Sequence, residues 1–136
     1  PGGRNSTLGW MTDAVKNATP EKPAQFFENE LRSPIFVLDI VKVVSKVIQL
    51  SQTIPETIVM NMGGKTDASR YDIGLGIAQR LGVPEDCLQK TEQKPIMGGI
   101  ERPRDIRMNS DLLTRTLKIQ TSTLEEALNL IFPGKN

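Results

Sequence analysis

The side chains best suited to chemistry lie in one short run, Arg102-Pro103-Arg104-Asp105, with Arg107 two residues further on. Guanidinium groups grip phosphate through paired N–H donors, and a proline stiffens the loop that presents them. A solvated loop carrying an Arg–Asp pair would look the same, and the charge pattern alone leaves both readings open. Gly64-Lys65-Thr66 has the ending of a phosphate-binding loop, but that motif needs another glycine five positions before Gly64, where Val59 stands. It reads as a turn and a helix start. Gly74-Leu75-Gly76 begins like a dinucleotide fingerprint, yet Gln79 replaces the third glycine and the pair falls inside an expected helix. Tyr71, the only tyrosine, lacks the lysine four residues later that would lower its pKa for acid catalysis, because Leu75 is there. A packing role at a helix start, with the hydroxyl at the surface, is expected instead.

Other chemistries are removed by composition. The sequence contains no histidine, so Ser-His-Asp and Cys-His nucleophilic sites and histidine-dependent zinc sites are excluded. Cys87, the single cysteine, has no imidazole to activate it and reads as a small buried or half-buried side chain. One cysteine cannot form an internal disulfide and fits a reducing, cytoplasmic setting. No Asp-rich loop suggests a metal. The net charge of +1 is spread evenly, without a basic run or interleaved aromatics, so neither nucleic acid nor a membrane surface is an expected partner. The most apolar stretch, Ile40 to Leu50, is interrupted by Lys42, Ser45, Lys46 and Gln49 and is too short to span a bilayer. No signal peptide is read at the start, and Pro1-Gly2-Gly3 reads like the middle of a loop, as in a fragment.

The elements that must position these residues follow from periodicity. Leu8, Met11, Val15 and Ala18 predict a helix from Asn5 or Ser6 to about Asn17, ended by the twice-proline stretch 18–23. Gln25 to Asn29 forms a short strand or a turn. Ser33 to Leu38 reads as a strand, with Asp39 as the N-cap of a helix whose apolar stripe is Ile40, Val43, Val44, Val47 and Ile48. So many β-branched residues leave a strand as the alternative there. Thr57 to Met62 is a β-type run, and Ser69 with Asp72 forms a capping box for a helix ending at Gly82. Gly74 and Gly76 within that helix predict close approach of another backbone. Residues 88–100 read as an extended segment and loop, Ile106 to Met108 as extended, and Asn109 or Ser110 as the cap of a short helix through Leu113. Thr121-Ser122-Thr123 opens the last helix, with Leu124, Ala127, Leu128 and Ile131 on one face. The sum is a single α/β unit over residues 1–136, mostly helices with a small few-stranded parallel sheet.

Four blocks, in order, resemble the extended short-chain dehydrogenases/reductases. Arg32 to Val41 resembles "R-x-P-hydrophobic-V-x-D-hydrophobic". Met60-Asn61-Met62-Gly63-Gly64 with Ser69-Arg70-Tyr71-Asp72 resembles "Y-N-x-G-G … S-R-y-e". Arg102-Pro103-Arg104-Asp105, then Met108-Asn109 and Leu112, resembles "R-P-x-D … L-D … K-L", and Thr121 to Leu128 resembles "T-s-L-e-e-a-L". Within that family the sequence is most similar to the dTDP-4-dehydrorhamnose reductase-like branch, which includes the non-catalytic beta subunit of methionine adenosyltransferase.

The resemblance implies the C-terminal fragment of an extended Rossmann-type reductase. Complete members of the family carry a glycine-rich NAD(P) loop and a Tyr-x-x-x-Lys pair in a preceding Rossmann half, and neither is in this sequence. It therefore implies no catalytic residue here, NADPH or NADH bound only in the complete protein, and that Rossmann half as partner. Substrate-binding residues would be Arg102, contacting the diphosphate of a nucleotide-sugar, Asp105, bracing its loop, and Arg32. Asn109 in place of the usual acid, and Lys118 where a glycine commonly ends the short helix, leave the sugar unspecified. Two functions compete, the substrate-binding lobe of a sugar-nucleotide oxidoreductase and a regulatory protein that binds a partner enzyme. An incomplete, unstable gene product is a third possibility.

Overall fold

A computed structural model describes residues 6–51, 53, 57–93 and 103–133. Among them are five α-helices and a two-stranded parallel sheet. In chain order these are α1 (Thr7–Lys16), β1 (Ala24–Phe27), α2 (Val37–Leu50), α3 (Arg70–Leu81), β2 (Leu88–Thr91), α4 (Asp111–Leu117) and α5 (Leu124–Ile131), with a single 3₁₀ turn at Glu85–Cys87 before β2. The α/β class with very little sheet is thus the one the sequence predicts.

The helix ends follow local chemistry. Ser6 caps α1 by accepting from the Gly9 N–H at 3.0 Å. Ser69 and Asp72 form the expected capping box on α3, and Gly82 closes that helix in the left-handed region at φ 70°. Thr123 and Glu126 form a second box on α5. Inside α3, close approach does require the glycines, but side chains approach rather than a backbone. A Cβ on Gly74 would lie 2.6 Å from the Phe26 ring, and one on Gly76 would lie 2.5 Å from Leu128 Cδ1.

α3 is the centre of the main core. Its Ile77 and Ala78 meet Met11 and Val15 of α1, Phe26 of β1, Leu88 of β2 and Leu128 of α5. β1 and β2 pair in parallel from Ala24↔Leu88 to Phe27↔Thr91. A second, smaller cluster joins Val43 of α2 to Leu113 and Leu117 of α4, with Met60 and Met62 beside it.

Three further expectations change. Ser33 to Leu38 is not a strand: α2 begins at Val37 after Phe36, so Asp39 lies in the first turn instead of capping it. Its carboxylate is fully buried and takes the Ser122 N–H at 2.7 Å and the Lys42 ammonium at 2.8 Å. Burial opposes its ionisation, but those two donors outweigh burial and hold the carboxyl below its usual range. Thr57 to Met62 pairs with no other segment among the described residues and is not a strand there; Met60 and Met62 serve the second cluster. α4 extends past Leu113 to Leu117, where Lys118 ends it at φ 55°. No helix among the described residues is long and apolar enough to cross a membrane.

Candidate functional site

The arginine-rich segment is strapped to the exit of β1. Leu31 donates its N–H to Arg104 O at 2.7 Å and accepts from the Ile106 N–H at 3.2 Å. On its other side Arg32 exchanges both backbone bonds with Ala68, at 3.1 and 2.9 Å. Buried Ser33 then gives its hydroxyl proton to Asp67 Oδ1 at 2.7 Å and accepts from the Met108 N–H at 3.0 Å. Further along, Ser110 Oγ accepts from the Gly63 N–H at 2.8 Å. Residues 103–109 therefore lie on the surface with much of their backbone fixed and their side chains exposed.

The three site residues expected from the sequence sit differently. Arg102 lies outside the described residues. Arg32 lies beside the segment and turns its guanidinium on the backbone there: Nη1 donates to Leu31 O at 2.8 Å and Arg104 O at 3.3 Å, and Nη2 to Pro103 O at 3.3 Å. Asp105 receives the Arg107 guanidinium, with Nη2 at 2.6 Å and Nε at 2.9 Å, and also the Arg107 N–H at 3.1 Å. Those bonds hold the Asp105 carboxyl down at about 2. Arg107 Nη1 lies a further 3.7 Å from Asp67 Oδ2. The result is an exposed face on which Arg32 and Arg107 are held by local partners, Asp105 and Asp67 lie beside them, and Arg104 is exposed on a fixed backbone.

The residue that sequence reasoning missed is Glu30. It is 2% exposed, and its two carboxylate oxygens face different arginines: Oε2 accepts from Arg70 Nε at 2.9 Å, and Oε1 lies 3.8 Å from Arg32 Nη2. Arg70 also lies over the half-exposed Trp10 ring, 5.7 Å from its centroid.

The rejected motifs are consumed by structure. The Gly64 N–H donates to Ser33 O at 3.2 Å and that of Lys65 to Ser122 O at 3.3 Å, while Thr66 Oγ1 accepts from the Leu124 N–H at 3.3 Å. With those amides occupied and the Gly74–Gly76 pair packed inside α3, neither motif fits a dinucleotide. Tyr71 is buried rather than surface-directed, its hydroxyl donating to Glu85 Oε1 at 3.1 Å. Cys87 is buried, and burial followed by the Asp86 charge pushes its thiol up, away from nucleophilic use. Among the described residues no group of three or more Cys, Asp or Glu side chains could hold a metal.

A separate feature is an apolar groove of about 690 Å³ between the start of α1, residues 34–38 and α5, lined by Leu8, Met11, Phe36, Ile73, Leu128 and Ile131 among others. It runs onto α2, where Val37, Val41, Val44 and Ile48 repeat at helical spacing and are 62%, 55%, 48% and 68% exposed.

Solved structures of sugar-nucleotide enzymes share this fold. The dTDP-4-dehydrorhamnose reductase of Bacillus anthracis, solved in complex with NADP, superposes with a TM-score of 0.74 at 17% identity over 95% of this chain and 43% of its own. That of Clostridium acetobutylicum gives 0.71 at 18% over 96% of this chain and 45% of its own. UDP-glucuronic acid 4-epimerase of Bacillus cereus, in complex with UDP-glucuronic acid and NAD, gives 0.65 at 16% over 96% and 39%. The chain spans less than half the length of these proteins. No protein-family model matches it, and no curated protein matches it in sequence.

Proposed function

We propose that this chain is the substrate-binding lobe of an NAD(P)-dependent sugar-nucleotide reductase resembling dTDP-4-dehydrorhamnose reductase, and that it is not catalytic alone. The observation that carries the reading is the exposed arginine face of residues 103–107, strapped to Leu31 and Ser33 on a fold shared with those reductases. Arg102 binds the substrate diphosphate with Arg104 beside it, Arg32 completes the substrate site by holding the Pro103 and Arg104 carbonyls, and Asp105 braces the loop through Arg107. NADPH or NADH is held by a Rossmann half, which also supplies the proton donor. That half covers the apolar stripe of α2, and the whole works in the cytoplasm.

The test is made on the native full-length product, with its mass and peptide sequence determined first. Thymidine diphosphate should bind, and the product should oxidise NADPH or NADH with a dTDP-linked 4-keto sugar. Arg102→Ala should weaken diphosphate binding about a hundredfold, as expected for losing a bidentate guanidinium–phosphate contact. A product of 15.1 kDa with neither activity sinks the reductase reading.

The second reading is a regulatory protein like the methionine adenosyltransferase beta subunit, in which the apolar groove between α1 and α5 takes a partner enzyme. A long product that copurifies with a partner enzyme, and turns over no sugar nucleotide, would establish that alternative.

A further inference from the structure

We infer that Glu30 is a positioning residue for the anion face, aiming Arg104 through Arg32. The inference rests on the substrate-lobe reading and adds a residue and a mechanism to it.

A carboxylate as buried as Glu30 must be compensated, and here one oxygen accepts from Arg70 Nε at 2.9 Å while the other lies 3.8 Å from Arg32 Nη2, in ion-pair range but beyond a hydrogen bond. Arg70 is the first residue of α3, directly after the Ser69 cap, so it is anchored in the central helix of the core. Its side chain is held from a second side by the Trp10 ring. Glu30 is therefore a fixed negative point tied to the rigid part of the fold.

Arg32 turns that fixed point into geometry. Its side chain is 30% exposed and, with several rotatable bonds, would sample many rotamers if unheld. Glu30 holds the fork so that its donors meet Pro103 O and Arg104 O. Those carbonyls belong to the peptide units on either side of the Arg104 backbone, so fixing them sets the direction in which the Arg104 side chain leaves the surface. Removing the Glu30 charge loosens Arg32 and frees the Pro103 carbonyl, while the Leu31 N–H keeps its hold on the Arg104 carbonyl; the peptide before Arg104 tilts, and Arg104 loses its aim while keeping its own charge.

A double-mutant cycle tests this, with inorganic pyrophosphate as probe and calorimetry on the full-length product. Glu30→Gln retains the shape and removes the charge. It should weaken binding on the order of tenfold, the usual scale for misplacing a supported group by a fraction of an ångström. Arg104→Gln should weaken binding similarly, and the double variant should be little worse than Arg104→Gln alone, since both changes disable the same contact. A purely structural role for Glu30 predicts losses that add. Additive losses, or undiminished binding in Glu30→Gln, overturn the inference. If Glu30→Gln does not fold, Arg32→Lys keeps the charge, removes the fork, and must show the same non-additivity with Arg104→Gln. Failure of the unsubstituted protein to bind pyrophosphate overturns the anion site itself, and the inference with it.

Discussion

Asp105 carries its negative charge into strong acid, because Arg107 offers it two guanidinium nitrogens and a backbone N–H. Its folded value of about 2 lies below that of a free aspartate, about 3.9. The pair's contribution to stability is therefore complete above the ordinary value and disappears as the pH falls through the window down to about 2. A carbon-detected NMR titration should place the Asp105 midpoint near 2, and Arg107→Gln should return it to the ordinary aspartate range. A midpoint unchanged by that substitution would remove Arg107 as the cause. The same scale shows how far single residues could be read in advance. Arg102, Asp105 and Arg107 stand out because arginines and an acid within six positions form a local pattern. Glu30 does not, because nothing in Phe27-Glu28-Asn29-Glu30 separates the buried Glu30 from Glu28, which pairs with Lys90 at the surface. The distinction is made by Arg70, forty residues away.

Helix signals written within four residues were legible, and those completed from afar were not. Two capping boxes, Ser69–Asp72 and Thr123–Glu126, involve side chains and amides three positions apart; the first is the one expected, and the second forms at the expected start of the last helix. Asp39 has the composition of a cap, but the amide it serves belongs to Ser122, eighty-three residues on, and α2 starts at Val37, before the Ile40 that an Asp39 cap implies. Thr57 to Met62 has the composition of a strand but pairs with nothing among the described residues. The arginine face required Leu31 and Arg32 to meet Arg104, which no periodicity reveals. Lys118 yields a prediction at this scale. It closes α4 at φ 55°, a left-handed conformation that a side chain tolerates poorly. Lys118→Gly should stabilise the protein by about 1 kcal/mol in a urea denaturation series. A destabilised variant would mean that the lysine side chain makes a compensating contact.

At the scale of the whole molecule, the apolar groove and the stripe Val37, Val41, Val44 and Ile48 form a continuous surface that the described residues leave uncovered. The isolated 136-residue chain should therefore bind a hydrophobic dye and self-associate. Val41→Glu with Ile48→Glu should reduce both by severalfold while leaving the melting temperature within a few degrees, because neither side chain is in a core cluster. Dye binding unchanged by the pair would place the exposed apolar surface elsewhere. The sheet has a different consequence. β1 and β2 are four residues each, and partners such as Gln25 and Gln89 are 64 positions apart. So short a ladder cannot repay the entropy of closing so long a loop unless other contacts form with it. Phe26 against Gly74 and Leu88 within the α3 core supply them. The ladder should therefore form together with the docking of Phe26 and Leu88 on α3, and a lesion at Gly74 should slow folding more than one at either strand's exposed face.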